Sequence, residues 1–120
     1  MGIVYYANYF VWMEIARTEW FNSVCGRSYE EIEKAGLFLP VLEARCQYKS
    51  PVKYPEEVKI TLTARIISKI YIEFYYDISV EGKARAIGFT KHIFMNKSGR
   101  VCKIPKDIYY SIDAETMPKQ

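Results

Sequence analysis

Cysteine and histidine are both scarce in this chain of 120 residues, which contains three cysteines and a single histidine. Cys25, Cys46 and Cys102 are widely spaced and include no Cys-x-x-Cys pair, and His92 is the one imidazole. A structural zinc site or a disulfide framework requires more such residues at closer spacing. We therefore expect no metal site, no disulfide framework and a reducing compartment, the cytoplasm.

Long apolar runs and clusters of one charge are also lacking. No apolar run approaches the ~18 residues of a membrane span, and the N-terminus has no basic segment followed by a signal-type apolar stretch. The net charge is +3, and the basic residues are scattered although 26% of the chain is charged. This pattern tolerates an anionic ligand, but it argues against a membrane span and against a nucleic-acid-binding module.

Apolar and aromatic residues, by contrast, are abundant, at 50% and 16% of the chain. A chain of this length buries roughly two thirds of its unfolded surface on folding. No repeat, linker or low-complexity segment interrupts it, so we predict one domain over residues 1–120.

A long helix is predicted near the start of the chain. No Gly or Pro occurs from Tyr9 to about Val24, Asn8 stands where an N-cap is expected, and Gly26 is a plausible stop. Apolar residues are spread around most of the circumference of this helix, whereas a surface helix has a single apolar stripe. We therefore expect the helix to be buried by surrounding structure.

A short helix and a series of strands are predicted to follow. Ser28 and Glu31 have the spacing of a capping box at the start of a helix over 28–35. Alternation of apolar and polar residues predicts strands with one apolar face, and Glu81-Gly82 is a two-residue hairpin signal. The predicted strands cover 37–49, 58–66, 70–80 and 84–95. The tail after Ile104 carries no clear pattern. These elements indicate an antiparallel, one-sided sheet curled around the first helix.

The opening stretch "GIVYYANYFVWMEIAR" resembles the signature of the hotdog-fold acyl-CoA thioesterases of the 4-hydroxybenzoyl-CoA thioesterase and Tol-Pal-associated thioesterase group. That signature runs Asp-x-x-Gly-x-Val-aromatic-(aromatic or His)-x-Asn-Tyr and continues into Glu-x-Ala-Arg. The residues that match it are Gly2, Val4, Tyr5, Tyr6, Asn8, Tyr9, Glu14, Ala16 and Arg17. The later stretches "YKSPVKYPEEVKI", "ISKIYIEFYYDI" and "GFTKHIFMNKSGRVCKIP" are similar to the later strands of the family. The resemblance implies an α+β hotdog fold, a curved antiparallel sheet wrapped around one long central helix.

The resemblance also implies an activity, the hydrolysis of an acyl-CoA thioester to a carboxylate and free coenzyme A. The backbone N–H of Tyr6 would polarise the thioester carbonyl. The family's catalytic Asp lies three positions before the motif Gly, which is a position before Met1, so we expect the first strand to be truncated in this sequence. Glu14 is the fallback carboxylate, although a structural pair with Arg17 or with another helix neighbour is the expected role for it. The alternative is a non-catalytic acyl-thioester or acyl-carrier binding protein on the same fold.

Further residues are implied to bind the substrate, and the remaining ones have structural interpretations. By resemblance, Lys69 occupies a basic position that some relatives use near the nucleotide, and coenzyme A enters as part of the substrate without another cofactor. His92 is expected to have a structural or surface role. The resemblance further implies self-association as a dimer or tetramer. The candidate substrate-binding residues are Gly2, Val4, Asn8 and Lys69, with Lys49, Lys53, Lys91 and Arg100 as weaker candidates.

Overall fold

A computed structural model describes residues 2–116 of the chain, which form three helices and six strands. The helices are α1 (Asn8–Cys25), α2 (Tyr29–Lys34) and α3 (Lys106–Thr116). The strands are β1 (Leu37–Phe38), β2 (Val41–Tyr48), β3 (Lys59–Ile66), β4 (Tyr71–Val80), β5 (Lys83–Ile93) and β6 (Met95–Asn96). No helix in this part of the chain is both long enough and apolar enough to cross a lipid bilayer.

The four long strands form one antiparallel sheet in the order β2-β5-β4-β3, and β1 pairs with β6 in a separate two-stranded ribbon. The tight turn between β4 and β5 places both Glu81 and Gly82 at positive φ, 50° and 79°. Two positive φ values are the geometry of a type I′ turn, which matches the right-handed twist of the strands that it joins. The predicted hairpin is therefore confirmed.

Helix α1 packs against the apolar face of this curved sheet. Along β4 the buried side chains alternate with more exposed ones, as the sequence pattern predicts. At the centre of the packing, the ring of Phe74 contacts Trp20 and Phe21 of α1 at centroid distances of 5.2 and 5.9 Å. Gly88 in β5 lies directly under Met13, because a Cβ at Gly88 would come 2.5 Å from the Met13 Cε atom. The result is the predicted α+β arrangement of a curved antiparallel sheet and one long helix.

The ends of α1 agree with the prediction at one terminus and differ at the other. Gly26 follows the helix with a φ of 66°, as expected of a helix stop. The N-cap position, however, belongs to Ala7, and no side chain caps the first turn. The reason is that the chain turns before Asn8. The backbone N–H of Asn8 already donates to the Tyr5 carbonyl at 3.0 Å. Asn8 is thus already inside the helix, and the prediction of an Asn8 cap is wrong.

The expectation that α1 is buried all round is also wrong for a single chain. Tyr9, Met13 and Phe21 are buried, but Val11 and Ile15 are each 52% exposed. Residues four apart lie on one face of a helix. One chain therefore covers the sheet-facing side of α1 and leaves an apolar strip of the opposite side open.

The predicted cap of α2 is confirmed, and one predicted strand is interrupted. The hydroxyl of Ser28 accepts a hydrogen bond from the backbone N–H of Glu31 at 3.1 Å. The strand predicted over 37–49 is divided at Leu39 and Pro40 into β1 and β2. Proline has no N–H to donate to a strand ladder, so the chain changes partner there, from β6 to β5.

Helix α3 lies in the segment whose sequence gave no clear pattern. Ile108 and Ile112, four residues apart, are buried, and the helix packs against α1 and β3. The Arg27 guanidinium donates to the Asp107 carboxylate at 2.8 Å, which ties the start of α3 to the end of α1. The i, i+4 spacing of the two isoleucines was a visible signal, but it covers a single turn and does not by itself predict a helix.

Candidate active site

The segment before α1 is held along one edge of the loop between β2 and β3. The Val4 N–H donates to the Val52 carbonyl at 2.8 Å, and the Tyr54 N–H donates to the Gly2 carbonyl at 2.8 Å. Gly2 has a φ of 70°, a backbone conformation that side chains disfavour. Val4 is buried, whereas Gly2 is exposed. These bonds fix where the chain enters the first turn of α1.

Tyr6 lies in that entry turn, with its carbonyl occupied and its amide free. The carbonyl accepts from the Tyr48 hydroxyl at 2.9 Å and from the Tyr9 N–H at 3.3 Å. Among residues 2–116, no acceptor receives the N–H of Tyr6 or of Ala7. Free N–H groups at the positive end of a helix dipole favour negative charge. The structure therefore places an available donor where the sequence analysis expects the oxyanion to bind.

A groove of about 280 Å³ lies beside this turn. The Tyr48 ring forms one side of it, packing edge-on against the Tyr9 ring at a centroid distance of 4.8 Å. Partial burial, with a smaller effect of the adjacent Cys46 thiol, raises the pKa of Tyr48 to about 12, so its hydroxyl remains a proton donor at neutral pH. The residues that line the groove are Ile3, Val4, Tyr6, Tyr9, Tyr48, Lys49, Ser50 and Pro51. None of these lining residues carries a carboxylate.

Two of the predicted site residues, Val4 and Tyr6, line this groove, and Gly2 and Asn8 lie two residues away from them along the chain. The Asn8 side-chain amide donates to the Tyr54 hydroxyl at 3.5 Å, a long hydrogen bond, and neither residue lines the groove. Sequence reasoning missed Tyr48, whose hydroxyl bonds the Tyr6 carbonyl. Its only sequence signal was its position in a stretch similar to the family's strands, because the contact joins residues far apart in the chain.

Glu14 is exposed and lies two turns further along α1. The rise of a helix puts it about 12 Å from Tyr6. The expected pair with Arg17 is absent: within residues 2–116 no ion pair joins the two, and the Arg17 guanidinium donates instead to the Tyr76 hydroxyl at 3.1 Å. This hydrogen bond joins the Arg17 side chain to β4, which contains Tyr76. Glu14 borders a second cavity of about 380 Å³, together with Arg17 and His92.

A chain of hydrogen bonds begins at His92, which borders that second cavity. The His92 Nδ1 atom lies 3.0 Å from the Leu39 carbonyl oxygen, which only accepts, so Nδ1 carries the proton. Nε2 then accepts from the Thr90 hydroxyl at 3.0 Å, and Thr90 accepts from Tyr76 at 2.6 Å. Burial lowers the pKa of His92 to about 4. The imidazole is therefore a neutral, buried structural group, which confirms the structural interpretation of this residue.

Lys69 lies at the opposite end of the sheet from Tyr6. Lys69 precedes β4, whose first residue is Tyr71. Tyr48, at the end of β2, and Ile78 of β4 both pair with Ala86 of β5, so Tyr48 lies level with Ile78. Tyr71 and Ile78 are seven residues apart in β4, which at about 3.3 Å per residue corresponds to about 23 Å along the strand. A single chain therefore does not bring Lys69 to the Tyr6 groove.

The weaker basic candidates divide between the groove and other surfaces. Lys49 lines the groove, and Lys53 follows Val52 in the loop that pairs with residues 2–4. Lys91 instead lies over the ring of Tyr71 at 4.6 Å from its centroid. In the described part of the chain, no group of three His, Cys, Asp or Glu side chains is arranged to hold a metal ion.

Comparison with known proteins extends the resemblance seen in the sequence. A protein of Aquifex aeolicus (strain VF5) that is provisionally named an esterase is 36% identical over 107 residues, which are 89% of this chain and 82% of that protein. Among solved structures, the DHNA-CoA thioesterase of Staphylococcus aureus superimposes with a TM-score of 0.83 at 29% identity, over 95% of this chain and 81% of that one.

A second solved structure and a family model give the same result. BH1999 gentisyl-coenzyme A thioesterase superimposes with a TM-score of 0.83 at 26% identity, over 92% of this chain and 87% of its own. Residues 1–112 match the model of the Thioesterase-like superfamily. With the curved sheet, the long helix and a match over most of its length, the chain belongs to the thioesterase-like hotdog superfamily.

Proposed function

We propose that this protein hydrolyses acyl-CoA thioesters to a carboxylate and free coenzyme A. The observation that carries the proposal is the free backbone N–H of Tyr6 at the N-terminus of α1, beside a groove, in a chain of the thioesterase-like superfamily. Thioesterase relatives named for gentisyl-CoA and DHNA-CoA support acyl-CoA as the substrate class. The free cysteine thiols are consistent with action in the cytoplasm.

The Tyr6 amide would act on the charge that develops during hydrolysis. Attack on a thioester carbonyl moves negative charge onto its oxygen, and a donor fixed in advance at that point stabilises the transition state more than the ground state. A single donor of this kind contributes on the order of 10²–10³ in rate. The hydrogen bond from Tyr48 to the Tyr6 carbonyl holds the turn that carries this donor.

The second requirement is a carboxylate that attacks the carbonyl or activates water. None of the residues lining the groove supplies one. The family signature puts an Asp three positions before Gly2, and we propose that a carboxylate at that position completes the site. Glu14, about 12 Å along the helix, is the fallback.

We also propose that two copies of the chain form the functional unit. Every residue of β2 is exposed or half-exposed, and β2 is an edge strand whose outer side pairs with no other strand among residues 2–116. Val11 and Ile15 form an open apolar strip on α1, and Leu42 in β2 is 53% exposed. An unpaired edge beside apolar surface favours pairing with another chain. A second copy of β2, antiparallel to the first, would cover both features.

This dimer would also bring Lys69 to the groove. In an antiparallel β2 pair, the Val41 end of one strand lies beside the Tyr48 end of the other. Lys69 lies at the Val41 end of its own sheet, so the second copy's Lys69 would face the first copy's groove. A cation there would bind the anionic coenzyme portion. Light scattering at micromolar concentration tests the dimer. We expect twice the chain mass for the unsubstituted protein and a lower mass for Val11→Glu. A monomer mass for both proteins would contradict the dimer.

The test of the activity compares two proteins. One is the 120-residue chain, and the other is extended upstream by the family's first strand, with an Asp three positions before Gly2. Release of free coenzyme A from gentisyl-CoA and from aliphatic acyl-CoA is measured with a thiol reagent. We expect the extended form to be faster by a hundredfold or more, since a catalytic group is restored. Changing the added Asp to Asn should return it to the slow rate. If the short form is already fast, Glu14→Gln identifies whether Glu14 is the catalyst.

The absence of a carboxylate from the residues that line the groove favours one alternative, a non-catalytic acyl-thioester or acyl-carrier binding protein. Both functions predict that coenzyme A or acyl-CoA raises the melting temperature, because a ligand that binds only the folded state stabilises it. Turnover separates them. If neither form hydrolyses any thioester and both are stabilised by acyl-CoA, the binding function replaces the enzymatic one.

A further inference from the structure

Arg85, which lies in β5 and does not line the groove, bonds the chain segment 49–56 through both its backbone and its side chain. Its backbone carbonyl accepts from the Lys49 N–H at 2.9 Å and from the Ser50 N–H at 3.1 Å. Its guanidinium donates to the Pro51 carbonyl at 2.7 Å and to the Glu56 carboxylate. One residue thus anchors the segment that leads from β2 toward β3.

Glu56 completes this anchor from the other end of the segment. Its two carboxylate oxygens lie 3.0 and 3.4 Å from the two terminal nitrogens of Arg85, and one of them also accepts from the Lys53 N–H at 2.8 Å. The side chains of Arg85 and Glu56 are only 20% and 30% exposed. A paired, two-point contact of this kind is more rigid than a typical surface ion pair.

The residues anchored in this way are those that hold the segment before α1. Pro51 and Lys53 flank Val52, whose carbonyl accepts from the Val4 N–H, and the next residue, Tyr54, donates to the Gly2 carbonyl. Val4 is two residues before Tyr6. The contacts therefore run without a break from Arg85 through the 51–54 segment to the turn that carries the free Tyr6 amide.

We propose that Arg85 and Glu56 are positioning residues, which hold the 51–54 segment and through it keep the Tyr6 amide at the groove. The proposal rests on the proposed function for its catalytic consequence. Neither residue lines the groove, so neither touches the substrate there. They act through backbone placement, and a misplacement of about 1 Å at a catalytic donor can cost on the order of a hundredfold in rate.

The experiment compares Arg85→Gln and Glu56→Gln with a matched control, Arg27→Gln. The control breaks the ion pair of Arg27 with Asp107, which joins α1 to α3 and does not contact the groove residues. All are made in the extended form of the chain described above. Hydrogen exchange of the Val4 and Tyr54 amides reports whether the segment is held, and kcat and KM for acyl-CoA report the catalytic consequence.

We expect Arg85→Gln to speed exchange at the Val4 and Tyr54 amides at least tenfold, while core amides of β4 exchange as in the control. We expect kcat to fall at least tenfold with KM changed less than threefold, because the donor is displaced while the binding surface remains. Glu56→Gln retains an oxygen for the Lys53 N–H and should show a smaller change in the same direction. Arg85→Lys should recover part of the loss, since it keeps the charge without the paired geometry.

Each outcome decides a separate question. Unchanged exchange at Val4 and Tyr54 in both variants overturns the positioning role, whatever the activity is. Faster exchange with unchanged kcat overturns the catalytic consequence. If the unsubstituted protein hydrolyses no thioester, the proposed function fails, and the chemical shift of the Tyr6 amide replaces kcat as the readout. A change of this chemical shift in Arg85→Gln that is absent from Arg27→Gln supports the positioning role. An unchanged chemical shift in Arg85→Gln overturns it. If Arg85→Gln does not fold, Glu56→Gln and Arg85→Lys carry the same comparison.

Discussion

Acidification should destabilise this protein through one identified residue, His92. The imidazole is buried with both ring nitrogens in hydrogen bonds, Nδ1 with the Leu39 carbonyl and Nε2 with the Thr90 hydroxyl. A second proton on Nε2 would face the hydroxyl hydrogen of Thr90 and would place a charge in a site with little access to water. The fold therefore favours the neutral ring, as its lowered pKa of about 4 shows.

The size and direction of the effect follow from the two states. The pKa of His92 is about 4 in the folded protein, against 6.5 in the unfolded chain, so the unfolded chain takes up a proton first as the pH falls. The free energy of unfolding is then unaffected above about pH 6.5 and decreases as the pH falls toward 4. Between pH 7.5 and pH 4.5 the loss from this residue alone is about 2–3 kcal/mol.

The assay is urea unfolding of the natural chain and of His92→Gln at several pH values. The variant has no titrating imidazole and should be less stable at pH 7.5, but the difference between the two proteins should shrink by about 2–3 kcal/mol at pH 4.5. The carboxylates, including Glu56, titrate in both proteins, so the difference isolates His92. Because the chain has one histidine, a single imidazole proton resonance also reports its pKa directly.

Two results would refute this reasoning. A measured pKa near 6.5 would show that burial does not exclude the charged ring. Parallel curves of unfolding free energy against pH for the two proteins would show that His92 does not couple to folding.

Three other substitutions have expected outcomes. Gly88→Ala should destabilise the fold by about 1–3 kcal/mol in urea unfolding, because the new methyl group overlaps the end of Met13, and Met13→Ala in the same chain should remove part of that cost. Ser28→Ala should lower the unfolding free energy by about 1 kcal/mol through loss of the α2 cap, and an unchanged midpoint would contradict that assignment. Lys69→Glu should reduce the rise in melting temperature produced by coenzyme A, whereas Lys34→Glu should not, and equal shifts in both would remove Lys69 from the binding site.

The features that the sequence determined are those set by neighbouring residues. The alternation along β4, the two-residue turn at Glu81-Gly82, the Ser28 cap and the Gly26 stop were all predicted and are all present. Each depends on side-chain periodicity or on the backbone preference of one or two residues, so no distant contact is needed to specify it. The family signature at the start of the chain added the expected fold and the position of Tyr6.

Contacts between residues far apart in the sequence determine the features that were not predicted. Helix α3 forms because Ile108 and Ile112 find apolar surface on α1 and β3, a partner that the local pattern does not reveal. Arg17 donates to the hydroxyl of Tyr76 in β4 and does not pair with Glu14 as expected.

The site itself shows the same division. The expected donor, the Tyr6 amide, belongs to a local turn that the sequence singles out, whereas the residues that hold this turn are remote in sequence. Tyr48 bonds the Tyr6 carbonyl, and Arg85 with Glu56 anchors the segment that pairs with residues 2–4. Hydrogen bonds between separate strands and loops depend on the register of the folded sheet, which one-dimensional patterns leave open. The sequence alone therefore singles out this turn as a candidate, and the tertiary structure decides what keeps the turn in place.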